Sequence, residues 1–318
     1  MARPFRFIAP IPRVREPIGA WLDEIRRIED LGFDTIAISD HFTQGWVMEP
    51  LVAMGAALDA TSRLRVVSLV LGNDYRHPVL THKAIAALDL LSGGRVELGI
   101  GAGWMASDYA AAGIPFAPAA VRLARLEEAL TIIAGLFGEA PVTFVGEHYQ
   151  IEALDGLPKP IQRPHPPILV GGGGPRALAI GARHADIVGI HARLPGGHLT
   201  PLAAADLGAE RIAGKVGWVR AAAAEAGRDP DAIELQTTVY LCQVADSGSA
   251  ATAARSSFAS FLSADPDLVA SSPAVLVGSV SECVEALVAR RERFGISYWN
   301  LGSDVDAVAP IVARLAGR

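Results

Sequence analysis

The chain has 318 residues, a formal net charge of −6 and 51% hydrophobic residues. This apolar content can bury a large core and excludes a largely disordered chain, while the acidic balance and the lack of a Lys/Arg run argue against nucleic-acid binding. No apolar stretch of about 18 residues is free of charge, so no transmembrane helix is predicted, and the amino terminus lacks the apolar segment of a secretory signal. Cys242 and Cys283 are too few for a disulfide framework or a structural zinc site, and we expect a cytoplasmic protein.

Short apolar runs and helical periodicities alternate along the chain. In residues 21–31 the apolar side chains recur at helical spacing, and Gly32 is typical of the position just after a helix. The predicted strands are residues 5–9, 35–38, 65–71, 95–100, 167–170, 186–190, 233–244 and 296–301. The predicted helices are residues 21–31, 50–60, 78–91, 122–137 and 206–226, with two more that begin near Pro175 and Ser281.

Eight strands that alternate with helices predict an α/β fold with a parallel sheet, and eight is the number that closes a (β/α)8 TIM barrel. An open doubly wound sheet is the alternative, but no dinucleotide crevice can be assigned in it. We expect a single domain over residues 1–318, with insertions after strand four (138–166) and strand seven (250–273). In such a barrel the chemistry is expected at the carboxyl ends of the strands.

Glycines follow the fourth predicted strand. Gly99, Gly101 and Gly103 partly match a dinucleotide fingerprint, but Trp104 stands where the third glycine is required, and no strand ending in an acid follows about 20 residues later. A strand end of small residues can instead let a flat ring approach the backbone. A tight turn without a ligand is the alternative.

A run of four glycines (residues 171–174) follows the fifth predicted strand, and Pro175 then suits the first position of a helix. Uncovered backbone N–H groups at a helix amino terminus favour a phosphate site, whereas a flexible loop is the alternative. Because the run is expected at the barrel rim, a side chain at Gly173 is expected to leave the fold intact. His191 and Arg193 follow the next strand and either face the same anion or are simply exposed.

Two groups of polar residues remain. Asp40 and His41 end the second strand; His41 can serve as a general acid or base near neutral pH, or cap the strand structurally, and Asp40 can orient it or contact a cofactor ring. His77 and His82 could suggest a metal, but His77 precedes a proline and is expected to be extended, so no metal site is predicted.

Taken in order, four segments resemble the bacterial luciferase-like monooxygenase superfamily, and within it most closely the branch of deazaflavin (F420)-dependent oxidoreductases. The segments are residues 31–41, residues 69–78, residues 91–104 with Asp108 and Tyr109, and residues 163–174 with 183–186.

This resemblance implies a flavin-type ring at the strand ends of a (β/α)8 barrel, backed by a non-proline cis peptide near Leu69 and Val70. The Asp-His of the family maps to Asp40 and His41, and its phosphate-binding glycines map to Gly173 and Gly174. The run follows strand five, whereas the usual barrel phosphate site follows strands seven and eight. Some relatives that oxidise sugar phosphates carry a Glu where this chain has Trp104, which argues against that substrate.

We therefore predict an F420-dependent oxidoreductase that moves a hydride between the deazaflavin and a small organic substrate, with His41 as the acid or base. The alternatives are an FMN-dependent monooxygenase that uses reduced flavin and oxygen, and a non-catalytic flavin-binding barrel. We expect a homodimer that binds neither nucleic acid nor membrane. The expected cofactor contacts are Asp40, Ser68, Leu69, Val70, Asn73, Gly101, Gly171, Gly172, Gly173, Gly174, His191 and Arg193, and the expected pocket walls are Trp46, Trp104 and Asn73.

Overall fold

A computed structural model describes residues 3–43, 45, 48–194, 201–302 and 304–318. Its strands in chain order are β1 (Arg6–Pro10), β2 (Thr35–Ile38), β3 (Arg65–Ser68), β4 (Leu71–Gly72), β5 (Val96–Gly101), β6 (Val142–Val145), β7 (Gln150–Leu154), β8 (Ile168–Gly172), β9 (Ile187–Ile190), β10 (Glu234–Thr238), β11 (Leu241–Val244), β12 (Val275–Gly278) and β13 (Ile296–Asn300). Its α-helices are α1 (Ile18–Asp30), α2 (Pro50–Ala60), α3 (Pro78–Ser92), α4 (Ala106–Ala112), α5 (Ala119–Phe137), α6 (Pro175–His184), α7 (Pro201–Ala205), α8 (Ala209–Glu225), α9 (Gly248–Leu262), α10 (Pro266–Ser271), α11 (Val280–Phe294) and α12 (Val305–Leu315).

Eight parallel strands close into a barrel. Their order is β1, β2, β3, β5, β8, β9, β10, β13 and back to β1, and the pairing of β3 with β5 completes the ring. The predicted (β/α)8 barrel is therefore confirmed. The third predicted strand is interrupted by a cis peptide between Leu69 and Val70, as the resemblance implied, and β4 resumes beyond it as a partner of β5.

The seventh predicted strand is wrong in its extent. Its first half forms β10 in the barrel, and the Val239 N–H still donates to Asn300 O of β13. The chain leaves the barrel wall at Tyr240, because the Tyr240 N–H donates to Ala274 O and not to a barrel strand. The second half, β11, pairs with β12 in a separate two-stranded sheet. The apolar run alone could not show this change of partner, since both halves are strand.

Both predicted insertions are present. The first contains the antiparallel hairpin of β6 and β7, and the second contains α9 and α10. The predicted helix at residues 206–226 begins later, with α8 at Ala209, because Asp206 lies in a break between α7 and α8 and turns its carboxylate inward. No helix in the described part of the chain combines the length and apolar composition needed to cross a membrane.

Local sequence signals explain where the helices begin and end. Ser279 caps α11 through a reciprocal pair of hydrogen bonds with Glu282, which satisfies two backbone N–H groups at its start. The helix α1 buries Trp21, Ile25 and Ile28 on one face. These capped, amphipathic helices pack around the barrel and place the strand ends in a fixed ring.

The interior of the barrel changes character along its axis. Midway, Ile8, Val67 and Leu169 belong to an apolar cluster on which Leu69 and Val70 of the cis bulge are packed. Near the amino-terminal ends of the strands, charged side chains fill the interior instead. They are Arg6, Arg65, Glu97 and Glu234, and Tyr298 joins them.

Candidate active site

A cavity of about 1260 Å³ opens at the carboxyl ends of the barrel strands. Because residues from all eight barrel strands or the segments directly after them reach it, the cavity is where the chemistry of such barrels is expected. The predicted site residues that line it are Asp40, His41, Leu69, Val70, Gly101, Trp104, Gly171, Gly172, Gly173, Gly174, His191 and Arg193. Trp46 lies outside the described residues.

Ser68 and Asn73 lie behind the cavity wall. The Ser68 hydroxyl is fully buried and exchanges hydrogen bonds with the Gly99 backbone, donating to its carbonyl (2.8 Å) and accepting from its N–H (3.0 Å). The Asn73 amide donates to the Tyr149 hydroxyl (3.2 Å). The geometry therefore gives no support to the predicted cofactor contacts of these two side chains, which instead hold neighbouring segments together.

The cis bulge forms one wall of the cavity, between the ends of β3 and β5. A Cβ on Gly101 would lie 3.0 Å from a methyl group of Val70, and one on Gly171 would lie 3.4 Å from the other methyl. A Cβ on Gly99 would overlap the carbonyl oxygen of Ser68. The small residues of β5 are thus needed so that the bulge can approach. Gly101 lines the cavity as well, whereas Gly99 serves only the packing of the bulge.

The four glycines of the run differ in their surroundings. A Cβ on Gly173 would overlap the backbone of Ala192 and Arg193, so the expectation that a side chain there leaves the fold intact is wrong. Gly174 is the N-cap of α6, has φ −98°, and would place a Cβ 3.7 Å from the Arg193 side chain, which is ordinary contact. It offers no side chain to the first turn, so that turn keeps backbone N–H groups available to an anion.

Positive charge gathers beside the glycine run. Lys215 is fully buried and donates to Asp206 (2.6 Å) and to the carbonyl of His191 (2.6 Å). Asp206 also accepts from the Arg193 N–H (2.9 Å) and from the Arg211 side chain (3.3 Å). The charged side chains of Lys215, Arg211 and Arg193 therefore surround the Asp206 carboxylate. These contacts fix the segment that begins at His191 against Gly173.

His191 lies over the glycines of β8 and β9. Its Nε2 would be 2.8 Å from a Cβ on Gly189, and its Cδ2 3.6 Å from one on Gly171. Burial and then the Lys215 ammonium lower the pKa of His191 to about 4, so the imidazole is neutral at pH 7. A neutral ring at this position adds no charge to the cavity.

His41 forms the strongest acid–base arrangement of the cavity. Its Nδ1 lies 2.6 Å from Oδ2 of Asp108, whose side chain is fully buried. Burial raises the pKa of Asp108, but hydrogen bonds from Thr43 and His41 outweigh it, and the pKa lies below its ordinary value. Because Asp108 is therefore ionised, the hydrogen between the two side chains is placed on Nδ1 of His41.

Asp40 does not orient His41. Its carboxylate accepts from the Gly72 N–H (3.0 Å) and pairs with Arg76, which also binds Glu49 (2.6 Å). It thereby fixes β4, just beyond the cis bulge. The sequence left open whether Asp40 orients His41 or contacts a cofactor ring, and the structure gives the orienting contact to Asp108.

Sequence reasoning missed three residues of this site. Asp108 stood in a segment that carried the resemblance, but nothing in the sequence linked it to His41, which lies 67 positions earlier. Asp206 and Lys215 lay inside a predicted helix, where an acid and a lysine are ordinary surface residues. Their burial depends on the break between α7 and α8. In the described residues no three His, Cys, Asp or Glu side chains converge as metal ligands.

The chain is similar in sequence to curated enzymes of two cofactor types. The chain is 28% identical over 203 residues to an FMNH2-dependent dimethylsulfone monooxygenase of Pseudomonas putida, covering 58% of this chain and 56% of that protein. It is 33% identical over 173 residues to an F420-dependent glucose-6-phosphate dehydrogenase of Intrasporangium calvum, covering 52% and 51%. The chain thus spans about half the length of these curated relatives.

Similarity to solved structures extends over the whole chain. The crystal structure of monooxygenase RslO1 from Streptomyces bottropensis matches with a TM-score of 0.74 and 25% identity, covering 98% of this chain and 97% of that one. The family model for luciferase-like monooxygenases matches residues 6–297. The barrel, the cis bulge and this match lead to one conclusion: the chain belongs to the luciferase-like monooxygenase family, whose relatives include both F420-dependent and FMN-dependent enzymes.

Proposed function

We propose that the protein is an F420-dependent oxidoreductase that transfers a hydride between the deazaflavin and a small organic substrate. The observation that carries the proposal is the His41–Asp108 pair in the cavity wall, with the glycine run across the same cavity. Hydride transfer to or from an oxygen-bearing carbon needs a proton at that oxygen, and a histidine held in one tautomer can supply or accept it.

The residues of the cavity fit a ring system that carries a phosphate. The cis bulge at Leu69 and Val70, together with Gly101, would hold the ring, because no side chain from β5 covers that wall. The glycine run and Arg193 would hold the phosphate through backbone N–H groups and a guanidinium. When bound, a deazaflavin supplies or accepts a hydride at C5.

Each polar group then has a separate task. Asp108 fixes the ring of His41 through Nδ1, so His41 would give or take a proton at Nε2. Asp40 and Arg76 hold the backbone beyond the bulge. Asp206 and Lys215 hold the segment that carries Arg193. The chain itself contributes positioning and one proton carrier.

A second candidate is an FMN-dependent monooxygenase. It is favoured by the similarity to the dimethylsulfone monooxygenase, which covers slightly more of the chain than the F420-dependent relative does. The two cofactors imply different chemistry, because a deazaflavin lacks N5 and reacts poorly with oxygen. The same glycine run would serve the phosphate of either cofactor.

Parallel titrations of the purified protein with reduced F420 and with reduced FMN, without oxygen, test the proposal. We expect F420 to bind at least about tenfold more tightly, a difference of about 1.4 kcal/mol. Tighter binding of FMN would replace the proposal with the monooxygenase. If neither cofactor bound, both candidates would be rejected in favour of a non-catalytic barrel.

A further inference from the structure

The cavity has two ends that differ in charge. The lysines and arginines that line it are Arg122, Arg193 and Arg211, and none of the residues outside the described ranges is a lysine or an arginine. Arg193 and Arg211 lie beside the glycine run and share Asp206. At the other end, near His41, Arg122 is therefore the one lysine or arginine of the cavity lining that could receive an anionic substrate.

Arg122 is already engaged by the protein. Its guanidinium donates to the carbonyls of Ala117 (2.9 Å), Ala102 (3.2 Å) and Gly103, and it lies 4.2 Å from the centroid of the Phe116 ring. Its residue surface is 8% exposed. It fixes the segment after β5 and has little capacity left for a phosphate or carboxylate.

In the described part of the chain, aromatic and aliphatic side chains also line this end. The Trp104 ring meets His41 edge to face at 5.4 Å between centroids. Phe116, Leu123 and Tyr75 also line the cavity. The carboxylate beside His41, that of Asp108, is buried and disfavours an anion there.

We propose that this end of the cavity binds an uncharged, largely apolar, ring-sized substrate with one oxygen directed at His41, and that it rejects phosphorylated substrates. The proposal rests on the proposed function, since it assigns the glycine end to the cofactor. Trp104 is the residue that determines this specificity. It offers a flat apolar surface beside the proton carrier.

Calorimetric titration compares two probes, a naphthol and glucose 6-phosphate, each with F420 or FMN at saturation so that the glycine end is filled. The variants are Trp104→Glu and, as a matched control that keeps an aromatic wall, Trp104→Phe. We expect the naphthol to bind and the sugar phosphate not to. Trp104→Glu should weaken naphthol binding by about 10- to 100-fold, as loss of a buried aromatic contact does, and Trp104→Phe by less than about threefold.

Three results would overturn the inference: glucose 6-phosphate binding as tightly as the naphthol, neither probe binding, or Trp104→Glu and Trp104→Phe behaving alike. Circular dichroism of both variants separates a loss of fold from a loss of binding. Failure of the proposed function is distinguishable, because it appears in the cofactor titration. In that case the same probes titrated against the chain alone still decide whether the His41 end prefers the apolar molecule.

Discussion

At the amino-terminal end of the barrel, charged side chains fill the interior and bind one another, whereas at the carboxyl-terminal end the interior is lined by glycines and stays open. Glu97, 1% exposed, accepts hydrogen bonds from Arg6, Arg65 (2.8 Å) and the Tyr298 hydroxyl (3.0 Å). Arg6 also pairs with Glu234 (2.9 Å). Two cations thus meet two carboxylates, and the lower end of the barrel is closed and neutral.

The open end has the opposite arrangement. Arg193, Arg211 and Lys215 outnumber their one carboxylate, Asp206, so this rim carries an excess of positive charge. Buried charges that are fully paired contribute to a unique fold, whereas an unbalanced group beside exposed backbone N–H groups favours binding of an anion. Residues at the closed end therefore hold the barrel, whereas residues at the open end are expected to hold a ligand. Substitutions at the two ends should accordingly affect different properties, stability at one and binding or turnover at the other.

The largest effect is expected at the closed end. Glu97→Gln removes the charge that compensates Arg6 and Arg65, and breaking a buried pair in this way costs about 3–5 kcal/mol in the free energy of unfolding. Urea denaturation measures it. Glu139→Gln, at an 80% exposed side chain, is the matched control and should change stability by less than about 0.5 kcal/mol. Equal stability of the two variants would contradict the comparison.

Next in size is the effect of His41 on turnover. His41→Gln should lower turnover by more than about 100-fold, the usual contribution of a general acid, while the dissociation constant of the cofactor and the urea midpoint change little. His184→Gln, on the outer helix α6, is the control and should leave turnover unchanged. If His41→Gln retained full turnover, the histidine would be structural and the open end would lack its proton carrier.

A pair of substitutions at Gly174 tests the anion site. Asp and Asn both cap helices well, so Gly174→Asp and Gly174→Asn should fold equally, but only Asp places a negative charge where a phosphate would lie. We expect Gly174→Asp to weaken FMN or F420 binding by about 10- to 150-fold, the loss of one charge-assisted hydrogen bond, and Gly174→Asn to have a smaller effect. Binding of phosphate-free riboflavin should be equal in both variants. Equal weakening of both ligands would place the anion elsewhere.

The fourth test concerns the pH dependence of stability. The pKa of His191 is about 4 in the folded protein and about 6.5 when unfolded, so the unfolded state binds an extra proton between these values. The free energy of unfolding should therefore fall as the pH drops from about 6.5 to about 4, with a slope of about 1.4 kcal/mol per pH unit from this residue. His191→Gln should remove the part of the slope that His191 contributes. The part contributed by His82, whose pKa is also about 4, should remain in this variant. An unchanged slope in His191→Gln would show that the ring is not buried in a neutral form.

The eight-stranded barrel could be predicted because its signal is local and repeated. Each strand is a short apolar run, each helix has its own period and cap, and strand count then limits the closed folds available. The position of the cavity follows from that topology, which is why Asp40, His41 and the glycine run could be expected at the strand ends that line it.

The partners of those residues could not be predicted, because they come from distant parts of the chain and leave no local signal. The carboxylate that orients His41 comes from α4, and the lysine beside His191 comes from α8, so both contacts depend on how elements pack. Val239 and Tyr240 show the same limit in the fold, since a strand pattern does not reveal when the chain changes from one sheet to another.

The glycines of this barrel have a consequence for the way its sequence can diverge. Gly99 and Gly173 have neighbouring backbone where a Cβ would lie, whereas Gly174 faces ordinary contact distances. In a library of variants selected only for folding, the first two positions should keep glycine and the third should accept other residues. An acidic residue at position 174 would then mark descendants that kept the scaffold and gave up the cofactor.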